Sequence, residues 1–283
     1  MNSLIQKLIA TGPVITDGAW GTQLQARGLE VGQCPDVWNL THPDRVEEVA
    51  RAYVKAGSKI ILSNTFGANR IRLADTGHAA DVVEINRQGA AISKRAAGGQ
   101  ALVFASLGPT GKMLVAGEVE ADAVAGAFAE QAQALKEGGA DAIVIETMAE
   151  LEEAQLAVRA AKATGLPVVA CMVFDTGGRT MMGTTPEQAA EELAAAGADV
   201  IGSNCGNGIE EFVPICRQLH AATKLPIWIK ANAGLPEMVD GKVQYRTSPA
   251  QFASYVPALV EAGANFIGGC CGTTPAHIAQ LRK

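Results

Sequence analysis

The sequence predicts an α/β protein that folds as a single (β/α)8 barrel, with residues 1–283 forming one domain. Three observations support this prediction: a repeated helix–glycine–strand phrase, eight short apolar runs, and helical patterns between most of those runs. The chain has 283 residues, of which 48% are hydrophobic and 5% are aromatic. Barrels of this length form around one large core, so the length alone requires no second domain.

A short phrase recurs along the chain: the end of a helix, a glycine, a small residue and then an apolar run. Its glycines are Gly57, Gly139, Gly197 and Gly263. Glycine suits the left-handed backbone position just beyond a helix, because a side chain would clash there. The phrase therefore predicts helices that alternate with strands.

The apolar runs give eight candidate strands. They are short and do not alternate with polar residues, which is typical of parallel strands covered on both faces. Eight strand–helix units in one chain of this size indicate a barrel. The competing fold, an open doubly wound sheet, would favour a G-x-G-x-x-G loop, and none follows any of these runs. The candidate strands span residues 14–16, 60–64, 102–107, 142–146, 168–174, 200–204, 227–231 and 265–268.

Helices are indicated by apolar stripes and by their starting residues. Stripes within residues 46–54 and 252–260 have the spacing of one helix face. Thr185 and Ser248 each begin a capping box, with proline at the first helical position and glutamine at the third. Residues 41–44 form a weaker version of the same pattern. Each of these segments is predicted to be helical or to start a helix.

The composition disfavours several kinds of partner and location. The formal net charge is −6 and no cluster of Lys and Arg stands out, so nucleic acid is not an expected partner. No apolar run approaches the roughly 18 residues that span a membrane. Residues 1–12 resemble a short amphipathic helix and not a signal peptide. With six cysteines and no export signal, we expect reduced thiols and a cytoplasmic protein.

Three cysteines follow two of the predicted strands. Cys205 follows the sixth, and Cys270 and Cys271 follow the eighth, each within a glycine-rich segment. In a barrel, both segments emerge at the carboxyl-terminal face, where active sites lie. The three thiols are therefore predicted to meet at that face and to bind a catalytic zinc ion.

The cysteines also allow other interpretations. A structural zinc site would need four ligands, usually with a C-x2-C pair, which the chain lacks. A disulfide between adjacent cysteines would be strained. Buried cysteines often act as small hydrophobic side chains, which is our interpretation of Cys171 and Cys216. Cys34 lies in a predicted loop and has no assigned role.

The expected metal chemistry is alkylation of a thiol. Zinc with three thiolate ligands has a net charge of −1 and one open position. A substrate thiol bound there loses its proton, and the negative charge keeps its sulfur electron-rich. Hydrolytic zinc sites favour His or carboxylate ligands and a bound water, and the chain has no H-E-x-x-H motif.

Seven segments spread along the chain form a recognisable set: DGAWGT at 17–22, SNTFG at 63–67, SLGPTG at 106–111, IETM at 145–148, NCG at 204–206, NAG at 232–234 and GGCCGTTP at 268–275. Together they resemble the homocysteine S-methyltransferase family of homocysteine-binding barrels. The resemblance spans nearly the whole chain, and GGCCGTTP is its most specific segment.

The resemblance implies a zinc-dependent homocysteine S-methyltransferase that forms methionine. It implies zinc at Cys205, Cys270 and Cys271, with the sulfur of homocysteine as the exchangeable ligand. It also implies that Asp17 and Glu146 hold the amino group of homocysteine. This is physically sensible because an ammonium in a partly dry pocket needs carboxylate partners. As the alternative, each acid is a solvated loop residue or a helix cap.

Other predicted substrate contacts involve backbone amides and asparagine side chains. Backbone amides near Gly18 and Gly269 are candidates to receive the carboxylate of the substrate. Asn64, Asn204 and Asn232 also stand at strand ends, where asparagine orients a loop, donates to substrate or bonds to the backbone. Of the three, Asn232 is included among the predicted substrate-binding residues.

The sequence does not determine the methyl donor. Within the family the chain is most like the amino-terminal barrel of cobalamin-dependent methionine synthases, whose further modules supply folate and cobalamin. The chain has no D-x-H-x-x-G cobalt-binding motif, and the eight residues that follow the GGCCGTTP segment leave no room for such modules. The leading expectation is therefore a methylcorrinoid or a methylfolate carried by a separate protein, with cobalamin bound to that partner.

Two alternatives remain open. The first is direct transfer from betaine, another onium compound or S-methylmethionine. Quaternary ammonium ions are held by aromatic cages, and betaine enzymes carry aromatic residues where this chain has Thr147 and, by alignment, Cys34. The second alternative is a non-catalytic zinc- or thiol-binding component of a methyl-transfer complex.

Overall fold

Eight parallel strands form a nearly closed barrel surrounded by helices in the computed structural model, which describes residues 2–175, 177–239 and 242–282. Around the barrel, hydrogen-bonded neighbours follow the order β1-β10-β7-β6-β5-β4-β3-β2, and β8 and β9 form a separate antiparallel hairpin. The predicted (β/α)8 barrel is confirmed. The strands are β1 Val14–Ile15, β2 Ile60–Ile61, β3 Leu102–Leu107, β4 Ala142–Met148, β5 Val168–Met172, β6 Val200–Gly208, β7 Ile227–Asn232, β8 Glu237–Val239, β9 Lys242–Gln244 and β10 Ala264–Gly269.

The seam between β1 and β2 is held by three hydrogen bonds. The amide of Lys59 donates to the carbonyl oxygen of Ile15 over 2.8 Å. The hydroxyl of Ser58 donates to the carbonyl of Thr16 over 3.2 Å. The amide of Leu62 donates to a carboxylate oxygen of Asp17 over 2.7 Å. The amide of Leu62 thus bonds to a side chain and not to the backbone of a neighbouring strand. β2 therefore ends at Ile61, before the predicted limit at residue 64.

Each barrel strand is followed by at least one helix that packs outside it. The principal helices after β1 to β6 are α4, α6, α7, α8, α9 and α10, while α11 and α12 follow β7 and α13 follows β10. Among the residues that the structure describes, no helix is long and apolar enough to cross a membrane. The helices are α1 Ser3–Ile9, α2 Gly21–Gln25, α3 Trp38–Thr41, α4 Pro43–Ala56, α5 Arg70–Ala74, α6 Val82–Ala97, α7 Ala121–Glu137, α8 Leu151–Ala163, α9 Pro186–Ala196, α10 Phe212–Ala222, α11 Pro249–Ser254, α12 Val256–Glu261 and α13 Pro275–Gln280, with 3-10 turns at Pro35–Val37, Ala79–Asp81 and Ile209–Glu211.

The core has two main parts. One part lies between the strands and the surrounding helices. The other takes at least one residue from each of the eight barrel strands, including Phe104, Trp228 and Phe266, and is therefore the barrel interior. Ile5 of α1 joins this interior cluster, so α1 packs at the end where the strands begin. The opposite, carboxyl-terminal end is left for polar side chains.

The predicted glycine stop signals and the two predicted capping boxes are confirmed. Gly57, Gly139, Gly197 and Gly263 all have positive φ, between 92° and 108°, just past helix ends. Thr185 and Ser248 form the predicted capping boxes at the starts of α9 and α11. A third capping box, in which Thr274 pairs with His277 at the start of α13, was not predicted.

Two other sequence predictions are wrong. The 41–44 segment forms no capping box, because His42 precedes α4 and makes no side-chain cap. The stripe at 252–260 is not one helix: it breaks at Tyr255, since Pro257 cannot donate an amide to a continuous helix. The hairpin of β8 and β9 was not predicted.

Candidate metal centre

The three predicted ligand cysteines are brought together by β7, which lies between β6 and β10. Cys205 of β6 and Gly269 of β10 are both paired in register with Ala231 of β7. The amide of Cys270 donates to the carbonyl oxygen of Ala231 over 2.7 Å. Cys205 and Cys270 therefore lie at the same height at the carboxyl-terminal end of the barrel. Cys205 is inside β6 and does not follow it, because that strand continues to Gly208 beyond the predicted limit at residue 204.

The sulfur atoms of Cys205, Cys270 and Cys271 all lie within 4.8 Å of one another, and the three residues are half-buried. With zinc–sulfur bonds of about 2.3 Å in a tetrahedral arrangement, ligand sulfurs stand about 3.8 Å apart. The cluster therefore fits a zinc ion. Within the described ranges, no fourth His, Cys, Asp or Glu belongs to this group, which leaves one tetrahedral position for another ligand.

The backbone at the site is unusual in two places. Cys205 and Thr147 are the non-glycine residues with positive φ in the described chain, at 65° and 64°. Such a conformation costs of order 1–3 kcal/mol and persists where the surrounding structure enforces it. Both residues stand at irregular ends of β4 and β6, the strands on either side of β5, where the pairing register shifts. The strain is thus concentrated beside the sulfur cluster.

Two asparagines contact the sulfurs. The amide nitrogen of Asn204 lies 3.8 Å from the sulfur of Cys270, and that of Asn232 lies 3.8 Å from the sulfur of Cys205. Asn204 also accepts a hydrogen bond from the backbone amide of Thr147 over 2.7 Å. These N–H groups stabilise negative charge on sulfur, a role that was not among those considered from the sequence.

Asn64, the remaining candidate asparagine, serves the fold. Its amide nitrogen donates to the carbonyl of Pro35 over 2.7 Å and to Asn39 over 3.0 Å. The structural interpretation of this residue fits these contacts.

The three thiols do not share their protons equally. Hydrogen bonds from the Cys270 and Cys271 thiols hold the pKa of Cys205 far below the ordinary value, against the effect of burial. The same contacts to Cys205 raise the pKa values of Cys270 and Cys271. Cys205 also receives the Asn232 contact, which favours negative charge on its sulfur.

Asp17 lies at the end of β1 and is completely buried. One of its carboxylate oxygens forms an ion pair with Lys230, which is also buried. The other oxygen accepts hydrogen bonds from the indole N–H of Trp20 over 2.8 Å and from the amide of Leu62 over 2.7 Å. Lys230 had no place in the predicted site. In the sequence it is a single lysine within an apolar strand.

Glu146 lies near the end of β4 and is 8% exposed. The hydroxyl of Ser106 donates to its Oε1. Its Oε2 has a weak contact, 3.5 Å from the amide nitrogen of Asn204. Burial raises the pKa of Glu146, and the positive charge of Lys230 partly offsets this effect. Glu146 thus has fewer hydrogen-bond donors around it than Asp17 and more acceptor capacity left.

The loops that follow β1 and β10 are locked together by Thr273. Its hydroxyl accepts from the amide of Ala19 over 3.1 Å and donates to the carbonyl of Cys270 over 2.7 Å. A Cβ atom at Gly18 would lie 2.7 Å from that hydroxyl oxygen, so the two loops meet too closely for a side chain. The amide of Gly269 donates to the carbonyl of Asp17 over 2.9 Å and is already used within the barrel.

Tyr245, like Lys230, lies beside the sulfur cluster and was not predicted from the sequence. Its ring packs against Gly272, where a Cβ atom would overlap it. Burial raises the pKa of Tyr245 to about 12, with further contributions from the negative charges of Cys271, Cys205 and Cys270. Its position beyond the unpredicted hairpin explains why no sequence signal identified it.

The other cysteines lie apart from the cluster. Cys171 and Cys216 are buried among apolar residues, as predicted, and burial raises the pKa of both thiols. Cys34 is half-buried, and its sulfur lies 3.6 Å from a carboxylate oxygen of Asp36.

Comparisons with known proteins identify similar sequences over most of the chain. A sequence model of the family described as homocysteine S-methyltransferase matches residues 14–283. Methionine synthase from Mycobacterium tuberculosis is 34% identical over 289 residues, covering 95% of this chain, and that from Mycobacterium leprae is 33% identical over 294 residues, covering 96%. The chain spans 24% of the length of each of these relatives.

A solved structure has the same fold. The homocysteine methyltransferase MmuM from Escherichia coli, in its metallated form, superposes with a TM-score of 0.82. The two sequences are 24% identical, and the match covers 98% of this chain and 99% of the other.

Proposed function

Because the chain belongs to the homocysteine S-methyltransferase family, we propose that it methylates the thiol of homocysteine to form methionine, with zinc held by Cys205, Cys270 and Cys271. The observation that supports this most directly is the three-sulfur cluster, whose members lie within 4.8 Å of one another with no fourth metal-binding side chain in the described ranges. Residues 1–283 would then act as one homocysteine-binding domain.

Zinc in this site would supply ionisation of the acceptor thiol at neutral pH and an electron-rich sulfur for attack on the methyl group. The protein contributes the three sulfurs and the charge around them. Asn204 and Asn232 donate N–H groups toward Cys270 and Cys205. These donors orient the sulfurs and hold part of their negative charge, as hydrogen-bonding neighbours do around metal ligands.

The acceptor is recognised, in this proposal, by acidic and amide groups beside the cluster. The buried carboxylates of Asp17 and Glu146 supply negative charge for the amino group. The carbonyl oxygen of the Asn232 side chain is buried without a hydrogen-bond partner and provides another acceptor. Backbone amides near Gly18 and Gly269 would receive the carboxylate, although the Gly269 amide already serves the barrel.

The proposed methyl donor is a methylcorrinoid or a methylfolate presented by a partner protein, with cobalamin as the cofactor of that partner. Support comes from the similarity to methionine synthases, which are about four times as long as the matched chain. An onium donor would need an aromatic cage. Thr147, directly after Glu146, supplies no aromatic face, and its hydroxyl accepts from Asn204 over 2.7 Å.

A donor screen tests the reaction. Zinc-loaded protein with homocysteine would be given methylcobalamin, methyltetrahydrofolate, betaine, S-methylmethionine or S-adenosylmethionine, and methionine would be measured. The proposal expects methionine from methylcobalamin or methyltetrahydrofolate. Methionine from an onium donor alone would replace the proposed donor. Binding of homocysteine with no methionine from any donor would favour a non-catalytic component.

Homocysteine binding is expected to release about one proton at neutral pH. A free thiol has a pKa of about 8.5 and is mostly protonated at pH 7, so it must ionise when its sulfur binds zinc. Below that pKa the affinity should rise about tenfold per pH unit, because less free energy is needed to remove the proton. Calorimetry in buffers with different ionisation enthalpies measures this release. An enthalpy that does not depend on the buffer would rule out direct binding of the sulfur as a thiolate.

A further inference from the structure

Lys230 is a lysine side chain inside the barrel. It lies on β7 between Trp228 and Asn232, and alternate residues of a strand share one face. Trp228 belongs to the interior cluster, so Lys230 also points inward, one layer closer to the carboxyl-terminal end. Its side chain is 2% exposed. A buried ammonium is costly unless charged partners surround it, so its environment must supply them.

The partners of Lys230 are two carboxylates and the sulfur cluster. It forms an ion pair with Asp17, which is 0% exposed. Burial opposes the charge of Lys230, yet the carboxylates of Asp17 and Glu146 raise its pKa, with a smaller contribution from Cys270. The ammonium therefore stays charged and lies among the groups that would face the acceptor.

The carboxylates of Asp17 and Glu146 differ in how many hydrogen-bond donors their oxygen atoms already have. Both oxygens of Asp17 are occupied, one by Lys230 and the other by the N–H groups of Trp20 and Leu62. Glu146 has one strong bond, from Ser106, and its second oxygen has only the 3.5 Å contact with Asn204. A new donor reaching Asp17 would find three of its roughly four acceptor sites taken by buried partners and would stand beside another ammonium.

We infer that Lys230 and Asp17 form a permanent internal ion pair that positions the pocket, and that Glu146 is the carboxylate that takes the amino group of the acceptor. The inference rests on the proposed function and divides its acidic pair into two roles. Charge balance supports the division. Two carboxylates and one lysine leave a single negative charge, which one substrate ammonium neutralises.

The role of Lys230 is therefore that of a positioning residue that sets specificity. It neutralises Asp17, so the pocket offers one acidic acceptor and not two. It also places positive charge near Glu146, which partly offsets the effect of burial that raises the pKa of that carboxyl group. An acceptor thiol with one amino group fits this arrangement. A thiol without an amino group would leave Glu146 buried and unpaired.

The test compares the binding of two thiols to zinc-loaded protein: homocysteine and its des-amino analogue, a mercaptobutyrate. Calorimetry gives the ratio of their dissociation constants in wild type, in Glu146→Gln and in the double variant Asp17→Asn/Lys230→Met. The double variant removes both charges of the pair together and keeps an oxygen at position 17 to accept the Leu62 amide. Zinc content is checked in each protein before binding is measured.

Wild type is expected to bind homocysteine at least about tenfold more tightly than the analogue, since a charge-assisted hydrogen bond is lost. Glu146→Gln should bring the ratio close to one. The double variant should keep the ratio within about threefold of wild type. The opposite result would overturn the inference and assign the amino group to Asp17: a ratio of dissociation constants that falls to about one in the double variant but stays near the wild-type value in Glu146→Gln.

A second measurement tests the ion pair without any thiol. Thermal denaturation of Lys230→Met, Asp17→Asn and the double variant forms a double-mutant cycle. Each single change is expected to lower the Tm by several degrees, because it leaves a buried charged or polar group without its partner, and the double change should cost less than the sum. Additive losses would refute the permanent pair. Zinc-loaded wild type that binds neither thiol would refute the proposed function, while the cycle would still decide whether the pair exists.

Discussion

Replacing Cys205, Cys270 or Cys271 with alanine is expected to remove the zinc and abolish methyl transfer while the barrel stays folded. Zinc held by several thiolates is bound with about 10–16 kcal/mol at neutral pH. Loss of one of three ligands should remove roughly a third of this, which lowers affinity by a factor of about 100 to 10,000. The sulfurs are half-buried at the strand ends, outside the packed interior, so the fold does not depend on them.

Cys216→Ala provides the matched control for these variants. Cys216 is buried on α10, where its sulfur lies 3.6 Å from the carbonyl oxygen of Ala262. This variant should lose some stability and keep its zinc. Elemental analysis after dialysis gives the metal content, and circular dichroism gives the fold. Wild-type zinc in all three cluster variants would defeat the metal assignment.

Gly268→Ala is expected to cost about 3 kcal/mol or more in the free energy of unfolding. A Cβ atom at this position would overlap the hydroxyl of Thr16 and lie 2.6 Å from the carbonyl oxygen of Asp17. Because one of the clashing atoms is the backbone oxygen of Asp17, rotation of the Thr16 side chain does not remove the overlap. Relief requires β1 to move away from β10, which would disturb the Asp17 position and one wall of the metal centre.

Gly126→Ala is the matched control for Gly268→Ala. Gly126 lies within α7, and a Cβ atom there would have no heavy atom within 4 Å. Alanine is the better helix former, so this variant should gain roughly 0.5–1 kcal/mol. Urea denaturation of both variants measures the contrast. Equal effects of the two substitutions would show that the seam between β1 and β10 is not as tightly packed as described.

The barrel was predictable because its signals are local and repeated. Gly57, Gly139, Gly197 and Gly263 mark helix ends, and each is followed by a short apolar strand. Local signals fail where tertiary contacts decide. β2 ends at Ile61 because the carboxylate of Asp17, just beyond β1, accepts the hydrogen bond of the next amide, and no pattern within residues 60–64 encodes that contact.

The cysteines of the candidate site were predictable from their places at two strand ends. The supporting residues were not. Lys230 is recognisable as part of the site only when the barrel brings it beside Asp17. The left-handed backbone of Thr147 and Cys205 is likewise imposed by irregular strand pairing, since neither residue type favours it. The division between an occupied Asp17 and an open Glu146 depends on contacts between residues far apart in sequence.

The central claim is that three sulfurs hold one zinc ion and leave one position for the sulfur of the acceptor. Zinc X-ray absorption spectroscopy of the loaded protein, with and without homocysteine, tests it most directly. Without homocysteine the spectrum should fit three sulfurs at about 2.3 Å and one lighter atom, and with homocysteine it should fit four sulfurs. A site that already contains four permanent protein ligands, or a sulfur count that stays at three when homocysteine is bound, would contradict the account.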